Sequence, residues 1–172
     1  MKGITFTNLM NEARRDGRKS MTRRIKTSDK PPYEVGDVLY VREKHRCKAY
    51  SADYAHATVE YSDKETNFVY INDKDTTLLN GRKKPNAWLS GRYMLASFAR
   101  DYIKITGIRS ECLQEITEAD AIQEGVERIG DKWKNHHGTF VDSAIKSFKS
   151  LWFCIHGRES WEENPEVWVI EF

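Results

Sequence analysis

The residue types best suited to acid–base and nucleophilic chemistry in this 172-residue chain are Lys19, Thr22 and Glu124. Lys19 lies in a basic segment, because residues 14–30 contain eight Lys or Arg and two Asp, a local charge of +6. Neighbouring cations lower the pKa of a lysine amine and make it usable as a base. Lys19 could then take the proton of the Thr22 hydroxyl and turn that oxygen into a nucleophile. The alternative is a basic surface turn that binds phosphate or nothing.

Glu124 is placed at the end of a short predicted helix, directly before Gly125. Thr117 fits the N-cap position of this helix, acidic residues follow in its first turn, and Gly125 fits the position after its last residue. A carboxylate there faces the negative end of the helix dipole. Glu124 is therefore either a solvated surface residue or an acid that donates a proton near neutral pH.

Local patterns also predict the elements that must position these residues. A strand at 3–6 and a helix through Leu9 and Ala13, ended by Gly17, precede the basic segment, which we expect to form a turn. Further strands are predicted at 38–43, 57–61, 67–71, 102–106 and 167–172, an amphipathic helix at 140–155, and an exposed loop at 73–86. The second and third of these strands are expected to form a hairpin. Because strands and helices do not alternate strictly, we expect an α+β fold built on a small barrel or curled sheet with helices at its rim.

The composition excludes several classes of protein. Charged residues make up 31% of the chain and are mixed in sign, with a net charge of +2, which favours a folded soluble domain over disorder. No apolar run is long enough to cross a bilayer and the N-terminus lacks a signal-peptide pattern, so we expect a cytoplasmic protein with no membrane partner. Cys47, Cys112 and Cys154 are expected to be free thiols. Their spacing lacks the paired ligands of a zinc site, so we expect neither metal nor cofactor.

The arginines near Lys19 are candidates for binding. Arg18 and Arg23 are expected to attract a nucleic-acid backbone. Arg24, or a backbone amide after Gly17, could stabilise an oxyanion at a reacting carbonyl. Arg42, at the end of a predicted strand, either forms an intramolecular ion pair or binds a phosphate or a pyrimidine carbonyl. Four aromatic residues are candidates for a base-stacking wall or for the core, namely Tyr33, Tyr40, Trp88 and Phe98.

The string Gly17-x-Lys19-x4-Arg24 resembles the G-x-K-x4-R signature of ASCH domains, which are PUA-like β-barrels associated with RNA. Other segments resemble phage and prophage ASCH-like proteins in order and spacing, namely 33–43, 100–107, 113–126, 148–152 and 164–172. The resemblance implies a single ASCH-like domain over 1–172, with an insertion or long loop region at about 44–95. It also implies a bacterial host cell as the location if the protein is phage-encoded.

Small bacterial N4-acetylcytidine amidohydrolases of the same superfamily share more than this signature. Their G-R-K-T-x-T-x-R pattern, Q-E-N segment and V-I-E-F end are similar to residues 17–24, 123–125 and 169–172. The resemblance implies that Lys19 is the proton acceptor, Thr22 the nucleophile and Glu124 the proton donor. The substrate would be N4-acetylcytidine or a related N-acylated pyrimidine nucleoside. Two departures are Ser20, which replaces a threonine, and Gly125, which replaces an asparagine.

Two other functions stay open on the sequence. The chain could be a non-catalytic module that binds RNA or a modified nucleotide, since the basic segment attracts phosphate without any reaction. It could also be a phage accessory protein that binds a host protein through the same basic surface.

Overall fold

The computed structural model describes residues 1–51, 56–71 and 87–172, and the loop expected at 73–86 lies outside them. The described residues form twelve strands and four α-helices, so the α+β class is confirmed. The strands are β1 (Gly3–Thr5), β2 (Met21–Ile25), β3 (Val38–Arg42), β4 (His45–Tyr50), β5 (His56–Tyr61), β6 (Thr66–Tyr70), β7 (Tyr102–Lys104), β8 (Gly107–Cys112), β9 (Glu127–Ile129), β10 (Lys132–Lys134), β11 (Phe140–Val141) and β12 (Glu166–Glu171). The helices are α1 (Asn8–Arg15), α2 (Glu118–Gln123), α3 (Ala144–His156) and α4 (Arg158–Glu162).

The chain divides into two compact units. Unit 1 comprises Met1–Asn8 and Val38–Ile103, and unit 2 comprises Leu9–Asp37 and Lys104–Phe172. The strands of the described residues form four three-stranded sheets, none of which closes into a barrel. A single ASCH-like domain over 1–172 stays a prediction.

Unit 1 contains two of these sheets. In the first, β3 pairs in parallel with β1 and lies between β1 and β7. In the second, β4, β5 and β6 form an antiparallel meander, which confirms the predicted hairpin of β5 and β6. Alternate side chains of β5 point into the core because successive residues of a strand face opposite sides of the sheet. The buried core of this unit contains Cys47, Ala57, Val59, Tyr61, Ile71, Met94, Leu95 and Phe98.

Unit 2 is built on an antiparallel sheet in which β12 lies between β2 and β8. As predicted, β12 is apolar and buried, since Val167, Val169 and Ile170 have no exposed surface. The core between this sheet and the helices is formed by Met21, Leu113, Ile116, Ala121, Val126, Ala144, Phe148, Trp152, Trp161, Val167 and Val169. Burial of this apolar surface is the main favourable term that holds α2 and α3 to the sheet.

Capping residues set the starts of the two helices that pack on this core. The Thr117 side chain accepts from the Asp120 backbone N–H at 3.1 Å, and Asp120 completes the capping box, so α2 begins where the sequence predicts. The helix α3 begins at Ala144, after the N-cap Ser143, and not at Phe140. Residues 140–141 are extended and pair with β10 instead.

The basic segment differs from the prediction, because it forms strand β2 and not a turn. The turn is confined to the residues before it, where Gly17 adopts a φ of +74°. Met21, Arg23 and Ile25 alternate toward the core side while β12 supplies backbone partners for all five residues of the strand. Because Arg23 lies on the core side of β2, the sequence lacks the apolar alternation that predicts a strand.

The strands β8 to β11 and the helix α4 were not predicted from the sequence. The strand β8 is partly buried at every residue except Ser110, including its charged residues Arg109 and Glu111, and β9 is exposed along its whole length. Neither strand therefore carries the apolar period of a half-buried strand. Among the described residues, no helix combines the length and the apolar composition that crossing a bilayer requires.

Candidate functional site

Lys19 and Glu124, separated by 105 residues in sequence, are in direct contact in unit 2. The Lys19 Nζ donates to Glu124 Oε2 at 2.7 Å and to the Glu124 backbone oxygen at 2.8 Å. The two residues form an isolated antiparallel bridge, and the Ser20 N–H donates to the Gln123 oxygen at 2.9 Å beside it. The exposed fraction is 4% for Lys19 and 3% for Glu124, so this ion pair lies in the protein interior.

Gly125 allows the lysine to approach the end of α2. Its φ is +94°, and a Cβ at this position would lie 2.8 Å from the Lys19 Cβ and 3.0 Å from the Ala13 Cβ. Its carbonyl oxygen also accepts from Arg18 Nη1 at 3.1 Å. An asparagine here, as in the amidohydrolase pattern, would place a Cβ against the lysine stem.

We expect Gly125→Ala to lower the free energy of unfolding by about 2–4 kcal/mol, because it combines left-handed strain with overpacking against Lys19. Urea denaturation measures the change. The matched control is Gly130→Ala, since Gly130 has a φ of +60° and no heavy atom within 4 Å of its added Cβ. Only the strain applies there, about 1 kcal/mol. Equal losses in the two variants would contradict the close packing around Lys19.

Thr22 lies on the β2 face that points away from Arg23, because side chains alternate along a strand. On that face Ile170 is the neighbour of Thr22 on β12, and Trp168 is the neighbour of Arg24. Thr22 is buried in this position. The hydroxyl predicted to act as nucleophile therefore lies on the same side of the sheet as Arg24.

The Thr22 hydroxyl is not bonded to its predicted base in this arrangement. In the described part of the chain it makes no hydrogen bond to Lys19 or Glu124. Lys19 would have to exchange its contact with Glu124 for one with Thr22 before it could remove the hydroxyl proton.

Arg23 occupies the interior and not the surface on which nucleic-acid contacts were expected. Its Nη2 donates to Glu111 Oε1 at 2.6 Å and to Asp120 Oδ2 at 3.0 Å, and its Nη1 donates to Glu124 Oε1 at 3.3 Å. The guanidinium thus joins three carboxylates, one of which is the partner of Lys19. The sequence did not predict this network, because the charged residues that form it are far apart along the chain and do not belong to one sequence motif.

Burial lowers the pKa of the Lys19 amine, since the charged form loses its hydration in the interior. The Glu124 carboxylate opposes this effect, while the charges of Arg24 and Arg23 add to it. The net direction is downward, which favours the neutral amine that a base requires. The sequence predicted this direction from the neighbouring cations, but the structure assigns the largest part to burial.

Arg24 is also affected by burial and by nearby charges. Burial lowers its pKa, and the charges of Glu124 and Tyr33 oppose the shift. Burial and the charge of Arg24 together lower the pKa of His156, at the end of α3. The charge of Arg24 therefore acts on both the Lys19 amine and the Glu124 carboxylate. The same positive charge would stabilise an anion that forms near Arg24 during a reaction.

A cleft of about 350 Å³ lies within unit 2, and its lining does not include Lys19 or Glu124 themselves. Its wall includes Arg18 and Gly125, the sequence neighbours of Lys19 and Glu124. The remaining lining residues are Leu9, Met10, Glu12, Val126, Glu127, Lys134, Asn135, His136, Ser147 and Leu151. This volume is within the range of small-molecule sites, and the mixed lining offers both apolar contact and hydrogen-bonding groups.

The other predicted binding residues have simpler surroundings. Arg18 pairs with Asp16 at 2.9 Å, in addition to its bond to Gly125. Arg42 belongs to unit 1, where its Nε donates to the Tyr40 hydroxyl at 3.2 Å and its guanidinium lies 5.2 Å from the centre of that ring. Both interpretations of Arg42 stay predictions.

Comparison of the chain with protein families, with curated proteins and with solved structures finds no match. Within the described residues, no group of three or more His, Cys, Asp and Glu side chains is arranged to hold a metal ion. The described cysteines are unpaired thiols, with Cys47 buried and Cys154 exposed. Function is therefore inferred from the geometry of the site and from the motifs in the sequence.

Proposed function

We propose that the protein is an ASCH-type amidohydrolase that removes the acyl group from N4-acetylcytidine or a related N-acylated pyrimidine nucleoside. The observation that carries the proposal is the buried contact between Lys19 and Glu124, 2.7 Å apart. Lys19 lies just before β2, the strand that carries Thr22 and Arg24, and Glu124 directly follows α2. A PUA-like barrel is part of the same proposal and rests on the sequence motif.

The chemistry follows from the roles of the three groups. The neutral Lys19 amine takes the hydroxyl proton as the Thr22 oxygen attacks the acyl carbon. The carbon–nitrogen bond breaks, and Glu124 delivers a proton to the exocyclic nitrogen that leaves. When the amine returns to its 2.7 Å contact with Glu124, the proton that it gained passes to the carboxylate.

Water then hydrolyses the acyl ester on Thr22. Lys19 accepts a proton from the attacking water, and the Thr22 oxygen leaves with a proton returned through the same pair. The products are a carboxylic acid and the free nucleoside, so the overall reaction consumes one water. The positive charge of Arg24 favours the oxyanion that forms at the acyl carbon in both steps.

The substrate in this proposal binds in the cleft beside Arg18 and Gly125. Its apolar wall, which includes Leu9 and Leu151, accommodates the base, and its polar residues meet the sugar. Because Lys19 and Glu124 are closed off from solvent, binding has to separate the end of α2 from residues 19–20 by enough to admit the acyl group. The acyl group also has to reach Thr22, which points to the other face of β2 from Arg23.

The test is incubation of the purified protein with N4-acetylcytidine and detection of cytidine and acetate by chromatography. A compact bacterial N4-acetylcytidine amidohydrolase serves as the positive control in the same buffer. Absence of cytidine at high protein concentration, while the control converts all of the substrate, would reject this substrate for the chain.

We expect Thr22→Val to lower kcat by at least about 10³-fold, because valine retains the shape of threonine and lacks the attacking oxygen. Thr22→Ser restores an oxygen and should retain measurable turnover. The measurement is initial rate against substrate concentration, together with mass spectrometry for an acyl adduct on Thr22. Full activity of the valine variant would exclude Thr22 as the nucleophile.

A second candidate is a non-catalytic module that binds RNA or a modified nucleotide. The observation that favours it is the closure of the site, since Lys19, Thr22 and Glu124 are all buried and the amine already has two acceptors. Titration with RNA at about 50 mM and 200 mM salt separates the candidates, because phosphate contacts weaken steeply with salt. Salt-sensitive binding that Arg18→Ala weakens, without any turnover, supports the module.

A further inference from the structure

The outward face of the β4–β5–β6 sheet in unit 1 differs from an ordinary solvated surface. In β5, Ala57, Val59 and Tyr61 point into the core, so His56 and Thr58 point outward with the side chains that lie opposite them. The register places Phe68 opposite Thr58 and Tyr70 opposite His56 on β6. It places Arg46 opposite Glu60 on β4. We call this face, with its aromatic and basic residues, the hairpin platform.

The aromatic half of the hairpin platform is exposed and ordered by ring contacts. Phe68 is 72% exposed and Tyr70 is 62% exposed. The His56 ring stacks on Phe68, with centroids 5.0 Å apart and planes 7° apart, and meets Tyr70 edge-on at 5.5 Å. Adjacent exposed aromatic rings on a sheet are a liability in solution and are typical of a binding surface.

The other half of the hairpin platform is basic. Arg46 Nη2 lies 2.9 Å from Glu60 Oε1, and Lys48 Nζ lies 3.0 Å from Glu60 Oε2. Two cations thus share one carboxylate, which leaves a net positive charge beside the rings. Lys44 and Arg46 also lie over the ring of Trp88, at 5.7 Å and 4.9 Å from its centre.

We propose that the hairpin platform binds single-stranded nucleic acid, with bases stacked on Phe68 and Tyr70 and phosphates held by Arg46 and Lys48. Exposed rings beside cations are the two elements of such sites, since every base has a π face and every phosphate a negative charge. A sugar ligand needs free carboxylates and amides next to the rings, and the carboxylate of Glu60 is already held by Arg46 and Lys48. This site is separate in residues from Lys19, Thr22 and Glu124 and does not require turnover.

The test is fluorescence anisotropy with a labelled single-stranded oligonucleotide of about 12 nucleotides, which is within the range of site sizes for such surfaces. We expect the double variant Phe68→Ala/Tyr70→Ala to bind about 100-fold more weakly, because each of the two lost stacks weakens binding by about tenfold. Phe68→Trp should retain the affinity. Lys48→Ala should reduce the slope of log affinity against log salt by about 0.7, the value for one phosphate on a single strand.

The matched control is Phe140→Ala, since Phe140 is also an exposed aromatic residue but lies in unit 2. It should bind as the wild type does. The platform substitutions are on the surface, so the midpoint of thermal unfolding should be unchanged. Turnover of free N4-acetylcytidine is measured in parallel. If the protein shows no turnover but its oligonucleotide binding still depends on Phe68, the proposed function fails and this inference stands.

Two results would overturn the inference. The first is equal affinity of the wild type and the Phe68→Ala/Tyr70→Ala variant, or no binding by either at low salt. The second is a wild-type dimer in sedimentation analysis that the double variant loses while oligonucleotide affinity stays unchanged, which would assign the hairpin platform to self-association.

Discussion

Replacing Lys19 with methionine is expected to lower kcat/KM for N4-acetylcytidine by about 10²–10⁴-fold, the usual contribution of a positioned proton acceptor. Methionine fills much of the volume of lysine but cannot accept a proton, so the loss reports the amine. Steady-state kinetics on purified wild type and variant measure it. The variant also leaves Glu124 with Arg23 as its remaining hydrogen-bonded cation, at 3.3 Å.

The pH dependence distinguishes a base from a merely structural lysine. Because burial lowers the pKa of Lys19, the neutral amine accumulates at a pH below the ordinary lysine value of about 10.4. In the wild type kcat/KM should rise with pH through this lowered pKa, and the rise should be absent from the residual activity of Lys19→Met.

The matched control for Lys19→Met is Lys26→Met. Lys26 directly follows β2, the strand that Lys19 precedes. Lys26 pairs with Glu166 at 2.8 Å and contacts none of the residues assigned to the reaction. Its replacement should leave kcat/KM and its pH profile unchanged. Equal losses in Lys19→Met and Lys26→Met, or an unchanged pH profile in Lys19→Met, would remove Lys19 from the mechanism.

Arg23→Ala is expected to lower the free energy of unfolding by about 3–5 kcal/mol, because it removes one partner from a buried charge network. The guanidinium is buried and contacts Glu111, Asp120 and Glu124. Within the described residues, its loss removes the closest cation from Glu111 and Asp120 and one of the cations that contact Glu124. Urea denaturation followed by circular dichroism measures the change. The control is Arg109→Ala, which removes contacts to two of the same carboxylates from a more exposed position and should change stability by about 1 kcal/mol or less.

Acid should reduce the difference between the wild type and Arg23→Ala. Burial by itself would raise the pKa of Asp120, but the hydrogen bond from the Thr117 backbone and the charge of Arg23 outweigh it, and the net direction is downward. A lowered folded-state pKa contributes stability above the unfolded value of about 3.9 and loses it as pH falls below that value. The wild type should therefore lose more stability than the variant at acidic pH. A difference that does not change with pH would contradict the electrostatic origin of the effect.

Local sequence signals were sufficient for several elements. Thr117 and Gly125 mark the start and the end of α2. The sequence predicts both ends because a hydroxyl cap and a residue at positive φ act within a few residues of their own position. The apolar run of β12 and the hairpin of β5 and β6 follow from local periodicity in the same way. The strand β2 was not recognised, because its partner β12 lies about 145 residues further along the chain and supplies the pairing that a charged segment lacks.

The sequence by itself determined the α+β class, the end of α2 before Gly125 and the basic character of the segment around Lys19. Sequence motifs identified Lys19, Thr22 and Glu124 as candidates but gave no distances between their side chains. Only the tertiary structure decided that Lys19 contacts Glu124 and that Arg23 lies inside. The physical reason is that burial and ion pairing depend on groups that meet only when distant strands and helices pack, whereas caps and periodicity act between neighbours.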